Sequence, residues 1–316
     1  MTNEDLSIVT TFYNNSNSID EFFDKIKKVT IDLKKKFNFE KINLIIVNDG
    51  SEIAQYNLLK TKISKTNLKI KLISHNNNYG QHNAIITGLN NTTEEYVVLI
   101  NFDLDEDPSY ITDIFDIIYK DKKIDCVVCY QKFKYNNLKN ITSSFFWKLY
   151  NLKKKNHNYF LNRPRTLRIM KKNIVEQIVD HSMLDSFFEN TFRETVNFNF
   201  VKAIEISIKK SSSGYNFFRR LKLSINAIYS MSQSFLDLYL FIFVTIASIS
   251  FFISLIYLFK FIFYYNASIV SGFPSLIISI WLLNSVIIAG ISFIIYILLG
   301  IKNKTNKKII YKIDEN

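Results

Sequence analysis

Short apolar runs alternate with polar stretches in which hydrophobic residues recur every three or four positions, until about residue 238, where charge all but disappears. Leu6-Ser-Ile-Val-Thr-Thr11, Ile42-Asn-Leu-Ile-Ile-Val47, Ile70 to Ser74 and Tyr96-Val-Val-Leu-Ile100 are short and largely β-branched, and they predict buried strands. Between them, Ile19, Phe22, Phe23, Ile26 and Leu33 form one helical stripe with lysines on the outer face. Ser18-Ile-Asp-Glu21 has the spacing of a capping box at that helix's start. Further helices are expected around Tyr56 to Ile63 and over Gln81 to Leu89. Strands and helices alternating at these intervals predict an α/β fold with a Rossmann-like, mostly parallel sheet flanked by helices.

Past Asp125-Cys-Val-Val-Cys-Tyr130 the regularity fades. Asn162-Arg-Pro-Arg165 breaks any helix, and alternating Ile204, Ile206 and Ile208 predict a late strand. Asn216 to Ser234 reads as an amphipathic helix, with Phe217, Leu221, Ile225 and Ile228 on one face and Arg219, Arg220 and Lys222 on the other. Such a helix just before a membrane span suits an interface with anionic lipid. Leu238 to Phe259 and Ser275 to Leu299 carry no charge and are each long enough to span a bilayer. Basic residues flank both, with Lys302, Lys304, Lys307 and Lys308 on the far side. The positive-inside rule therefore predicts a transmembrane hairpin with both chain ends in the cytosol. The expected organisation is a cytosolic domain over 1–215, an interface helix over 216–235, the hairpin over 236–301 and a basic cytosolic tail over 302–316.

Composition sharpens this picture. The 316 residues suffice for one sizeable domain or two smaller ones, and 48% are hydrophobic, with 28 Phe. A formal net charge of +12 beside long apolar runs points to an anionic membrane as partner, not to nucleic acid. The acidic start, leading straight into a strand, predicts no signal peptide. Cys126 and Cys129 are the only cysteines, so no second pair completes a zinc site, and reduced thiols buried on a strand are expected. His82, His157 and His181 show no spacing of a ligand set.

One acidic stretch stands out against this basic background. Asn101-Phe-Asp-Leu-Asp-Glu-Asp-Pro-Ser109 follows the strand ending at Ile100 and places four carboxylates within five positions. At the carboxyl edge of an α/β sheet, where ligands bind, crowded carboxylates suit a divalent cation and a diphosphate. They equally suit the first turn of a helix starting near Ser109.

Val9-Thr-Thr-Phe-Tyr13-Asn14, Val47-Asn-Asp49-Gly-Ser51, Asn78-Tyr-Gly80-Gln-His-Asn-Ala84 and Asp103-Leu-Asp-Glu-Asp-Pro108, in this order, resemble family-2 glycosyltransferases of the GT-A fold. Lys210-Ser-Ser-Ser-Gly-Tyr215, the amphipathic helix and the two spans resemble the membrane-anchored polyprenyl-phosphate members. The resemblance covers nearly the whole chain. It implies a nucleotide-sugar donor contacted by Thr11, Tyr13, Asn15, Asp49, Gly80 and Asn101, although the family's usual Pro and Glu near Tyr13 are absent. Asp49 and Gly80 would also suit plain turns.

The family's D-x-D becomes Asn101-Phe-Asp103 here, so Mg2+ or Mn2+ is expected on Asp103 with Asp105 in reserve; magnesium takes as few as one or two protein carboxylates. Thr166 stands where relatives carry an acidic base. A lipid phosphate, with a second pKa near about 6, arrives ionised and needs no base. Catalysis is assigned to Asp103 and Arg168. The acceptor phosphate is assigned to Arg163, Lys209, Lys210, Ser213 and Tyr215, with Arg165 beside them; these residues would equally serve as a basic face towards the bilayer. The expected activity is inverting sugar transfer to undecaprenyl or a similar polyprenyl phosphate in cell-envelope glycan synthesis. A sugar hydroxyl on a lipid-linked glycan is the alternative acceptor, and a catalytically silent membrane scaffold is the alternative outside enzymology. The sugar, the nucleotide and any homo-oligomer are left open.

Overall fold

A computed structural model describes residues 5–132, 163–181, 188–207, 233–263, 273–302 and 311–315. These fall into two units, Met1–Arg220 with Lys308–Asn316, and Leu221–Lys307. In the first unit the described strands are β1 (Leu6–Phe12), β2 (Ile42–Asn48), β3 (Ile70–His75), β4 (Tyr96–Leu99), β5 (Cys126–Gln131), β6 (Arg163–Lys171), β7 (Val201–Glu205) and β8 (Tyr311–Glu315). They form one sheet in the order β7-β5-β6-β4-β1-β2-β3-β8. The four strands read from the apolar runs, β4-β1-β2-β3, are parallel. The flanks mix directions: β6 is antiparallel to both β4 and β5, β7 is parallel to β5, and β8 is antiparallel to β3. The sheet is α/β as expected, but mixed, because strands from later in the chain dock on both sides of the parallel centre.

The described helices of this unit are α1 (Ile19–Phe37), α2 (Ile53–Ile63), α3 (Gln81–Leu89), α4 (Tyr110–Lys120), α5 (Lys172–His181) and α6 (Phe188–Thr195). Alternation along β1 sends Leu6, Ile8 and Phe12 into one core with Phe22, Ile26 and Leu33 of α1 and Phe115 of α4. Val9 goes to the other face, with Ala84 and Ile85 of α3, Ile178 of α5 and Phe192 of α6. Burial on both faces explains why the central strands read as continuous apolar runs.

Three local expectations are corrected. The Ser18–Glu21 capping box does not form: Ser18 is the N-cap of α1 but makes no side-chain bond to its amides. A short 3-10 turn over Ser16–Ser18 feeds the helix, leaving Ser18 with helical dihedrals instead of the extended ones a capping side chain needs. Its hydroxyl donates to Asn15 Oδ1 instead, at 3.1 Å. The second helix begins at Ile53, ahead of Tyr56, because Glu52 takes the N-cap position. The late strand covers Val201–Glu205, with Ile206 just beyond its end and Ile208 outside the described residues.

In the second unit, α7 (Gln233–Phe263) and α8 (Phe273–Lys302) pack on each other. Ala247, Ser250, Ser254, Ser285 and Ser292 are buried, and the Ser250 hydroxyl donates to the Trp281 carbonyl at 2.9 Å. Small residues allow such close approach, while Phe241, Phe252, Leu283 and Ile294 are exposed. Phe241–Lys260 and Leu276–Ile295 are long and apolar enough to cross a membrane. The amphipathic helix expected up to Ser234 lies outside the described residues as far as 232.

Candidate active site

The carboxyl ends of β1, β2 and β4 share one edge of the sheet. Register sets Phe12 beside Asn48, and Leu99 beside Arg168 of the antiparallel β6. Asp49, the Asn101–Ser109 loop and Arg165–Arg168 therefore lie along this edge.

Asp49 is almost fully buried, at 3% exposure, and it is the hub of the β2 turn. Its Oδ1 accepts the Tyr79 N–H at 2.9 Å and lies 2.8 Å from His75 Nδ1; Oδ2 accepts the Gly80 N–H at 2.8 Å. His75 Nε2 is 3.0 Å from the Thr87 hydroxyl, so the imidazole bridges Asp49 to α3. Gly50 has φ of 67°, and a Cβ there would sit 2.4 Å from the Asn77 carbonyl carbon. Only glycine permits both that left-handed turn and that close approach. Gly80 has φ of 91°, with open space where a side chain would project. Asp49 and Gly80, separate candidates in the sequence, are thus one hydrogen-bonded assembly. Asn14, with φ of 46°, laces the end of β1 to it: its N–H donates to Ser51 Oγ at 3.1 Å, and its Oδ1 accepts the Glu52 N–H at 2.9 Å. Thr11 and Asn15 are half-buried and Tyr13 is exposed on the same loop.

The acidic loop alternates. Phe102 turns inward, stacked on Phe22 at 4.2 Å and edge-on to Phe12 at 5.0 Å. Leu104 turns inward too, at the cost of a left-handed φ of 59°, a strain that persists only where the surroundings over-determine it. Glu106 follows, with no exposure at all. It accepts the N–H groups of Thr166 at 2.9 Å and Leu167 at 3.1 Å, stapling the loop to β6. Burial pushes its carboxyl up to about 7, with Arg165 pulling the other way. This corrects the expectation that Glu106 belongs to a solvated helix approach. The period-two run Phe102, Leu104, Glu106 was the signal that placed it inside. Asp107 does serve that approach, accepting the Ser109 N–H at 3.0 Å and pairing with Lys25 at 3.0 Å.

Asp103 and Asp105 point the other way. Asp103 is exposed, and its Oδ1 accepts the Asp105 N–H at 3.2 Å. Surrounding protein raises its pKa, and so does the neighbouring Asp105 charge. A cation would relieve that repulsion. Among the described residues no three His, Cys, Asp or Glu side chains gather as a metal cluster. The loop would offer a cation two carboxylates, a set that fits a magnesium-type ion completing its shell with water and phosphate oxygens. Asn101 Oδ1 accepts from Gln81 Nε2 at 2.8 Å, joining this loop to the start of α3.

Arg168 lies in the interior, at 2% exposure. Its guanidinium sits over Phe192 at 4.5 Å and Phe188 at 5.0 Å, donates to the carbonyls of Thr166 and Arg165, and pairs with Glu189 at 3.2 Å. Glu189 also accepts from Arg193 at 2.8 Å. Nearby, burial lowers the pKa of His82 to about 4. Arg165 donates to Gln131 Oε1 at 2.7 Å. Arg163 opens β6 opposite Gln131, while Lys209, Lys210, Ser213 and Tyr215 lie outside the described residues. Both cysteines are buried on β5; burial pushes the Cys126 thiol up to about 12 and Cys129 higher still, as inert packing thiols require. His75, Gln81 and Glu189 were not singled out in the sequence, and Glu106 was read only as part of the approach to a helix, because their partners are distant in it.

The sequence model described as glycosyl transferase family 2 matches residues 7–185. A protein named prophage bactoprenol glucosyl transferase homolog, from Escherichia coli, is 22% identical over 290 residues, covering 90% of each chain. An undecaprenyl-phosphate 4-deoxy-4-formamido-L-arabinose transferase from Pseudomonas fluorescens is 28% identical over 106 residues, which is 34% of this chain and 30% of that one. Among solved structures, mannosyl-3-phosphoglycerate synthase from Rubrobacter xylanophilus superposes with a TM-score of 0.54 at 11% identity, covering 72% of each chain. Glucosyl-3-phosphoglycerate synthase from Mycobacterium tuberculosis, in complex with UDP, gives 0.50 at 11% identity over 72% of this chain and 78% of that one. At such identity these two speak to the fold alone.

Proposed function

We propose, for a chain that belongs to glycosyl transferase family 2, that it moves a sugar from a nucleotide-sugar donor to polyprenyl phosphate with inversion, at the cytosolic face of a membrane. The observation that carries this reading is the loop at Asn101–Ser109, which turns Asp103 and Asp105 outward at the carboxyl edge, between the Asp49–Gly80 assembly and the Arg165–Arg168 segment. The whole-length similarity to a bactoprenol glucosyl transferase homolog supports the lipid acceptor.

In this reading Thr11, Tyr13, Asn15 and the Asp49–Gly80 wall frame the nucleotide, with Asp49 acting through the amides it holds. Asp103 and Asp105 would hold Mg2+ or Mn2+, and the ion would supply positive charge against the donor diphosphate. Glu106 fixes the height of that loop against β6. Arg168 braces Thr166 and Arg165 from behind, as a positioning residue. Arg163, Lys209, Lys210, Ser213 and Tyr215 receive the acceptor phosphate by charge-assisted hydrogen bonds. The phosphate oxygen, already ionised, attacks the anomeric carbon from the face opposite the leaving diphosphate. That chemistry explains how Thr166, no base, can occupy its position; a sugar hydroxyl acceptor would need a base there.

The chain leaves the first unit, runs through α7 and α8, and returns to it with β8 in the sheet. An excursion that begins and ends in one folded unit crosses a bilayer an even number of times. This supports a hairpin with the catalytic domain and both flanks on one side, and the basic flanks name the cytosolic side, against anionic lipid.

The test supplies purified chain with UDP-, GDP- and dTDP-sugars, Mg2+ or Mn2+, and polyprenyl phosphate, and follows chloroform-soluble sugar phosphate. Formation from one donor is expected. Donor-dependent transfer only to a sugar hydroxyl, or no transfer with any donor, sinks the proposal.

A further inference from the structure

Without β8, β3 would be an open edge strand with unpaired amides. Tyr311–Glu315 closes it, pairing antiparallel from Lys71↔Glu315 to His75↔Tyr311. Antiparallel pairing brings the first residue of β8 to the carboxyl end of β3, the edge that carries the Asp49–Gly80 assembly. There the Tyr311 ring lies 6.4 Å from that of His75, and Tyr79 meets the same imidazole edge-on at 5.3 Å. A second anchor lies further along: Asp314 accepts from the Tyr56 hydroxyl at 3.1 Å and from Lys60 at 3.4 Å, both on α2. β8 thus grips α2, which follows the Asp49 turn, and β3, whose His75 touches the Asp49 carboxylate.

From this geometry we propose that β8 is a working part of the donor side of the site, with Tyr311 a positioning residue for the Asp49 clamp. The donor-side role rests on the function proposed above. Asp49 can hold the Tyr79 and Gly80 amides only where its own carboxylate is fixed, and His75 is one of its anchors. His75 is 4% exposed, with both ring nitrogens engaged and its ring bounded by Tyr79 and Tyr311. Removing the Tyr311 ring frees one side of the imidazole, and the looseness passes through Asp49 to Tyr79 and Gly80. Sheet closure by itself predicts something different, because it depends on β8 backbone and not on the side chain at 311.

The test is amide hydrogen exchange on the full-length chain in detergent, comparing wild type with Tyr311→Ala and Tyr311→Phe. Tyr311→Ala is expected to speed exchange at the Tyr79 and Gly80 amides roughly two- to tenfold, the worth of one aromatic contact, while Tyr311→Phe leaves it unchanged. The β1 and β2 amides should keep wild-type protection in both. Unchanged exchange at Tyr79 and Gly80 in Tyr311→Ala overturns the proposal, as does an equal loss of protection in β1 and β2, which would mean general destabilisation. In the transfer assay, Tyr311→Ala should raise donor KM by a similar factor and leave acceptor KM and kcat alone; an unmoved donor KM also overturns it. If the wild type transfers no sugar, the proposed function fails, and exchange still decides whether Tyr311 positions the clamp.

Discussion

Glu106 accepts the backbone N–H of Thr166 at 2.9 Å across sixty residues of sequence, and through Leu167 it takes a second amide of the same strand. A carboxylate drawn from the most acidic stretch of the chain thus works as an interior staple. Glu106→Ala leaves the buried Leu167 amide without its acceptor, a cost of about 1–3 kcal/mol, and frees the half-buried Thr166 amide at a smaller one. Denaturant melts should show that loss, with Glu106→Gln losing less because one amide oxygen remains. Wild-type stability in Glu106→Ala would show that the staple contributes nothing.

Asp103 has the opposite role. Asp103→Ala should lower sugar transfer on the order of a hundredfold, as losing a group that supports developing charge does, with little change in stability because the side chain is exposed. Asn101→Asp should retain activity and bind metal more tightly. Titration of activity against Mg2+ and Mn2+ measures both, and near-normal turnover in Asp103→Ala would remove it from the site.

His82 makes stability depend on pH. Burial holds its folded pKa near 4, below its ordinary 6.5, so the folded state disfavours the proton. Its contribution is complete above about 6.5 and is lost as pH falls from there towards 4. His82→Gln should flatten stability across that window, as followed by thermal melts from pH 7 to pH 4.

Gly50→Ala meets two obstacles at once, a left-handed φ of 67° and a Cβ 2.4 Å from the Asn77 backbone. A cost of roughly 1–3 kcal/mol is expected. Donor KM should rise as well, since the turn carries Asp49. Gly80→Ala, with the same sign of φ but open space, should be milder in stability; equal losses in the two would show that the contact with Asn77 is unimportant.

Much of this protein was legible without coordinates, and the reason is period. The strands at Leu6, Ile42, Ile70 and Tyr96, the stripe of α1 and the two charge-free spans are local patterns, set by which residues must leave water. Motif order likewise singled out Asp49 at the end of β2, Gly80 at the start of α3 and Asp103 in the loop beyond β4 before any distance was known. Period also carried Phe102, Leu104 and Glu106 inward together, but charge at position 106 masked it. Ser18 failed as a capping residue because a preceding 3-10 turn, not the four-residue motif, sets its dihedrals.

What the tertiary structure alone decided are the pairings between distant parts of the chain. Asp49 could be known as a strand-end carboxylate, but not as the holder of the Tyr79 and Gly80 amides. Arg168 could be known as a cation, but not as one buried between two phenylalanines and Glu189. Residues 311–315 looked like part of a basic tail, and they close the sheet, with Asp314 bonded to Tyr56 from 258 residues away. Hydrophobic periodicity states that a face is buried. Which polar group waits on the other side depends on the whole chain having folded, because only then is a hydrogen bond across hundreds of residues worth more than one to water.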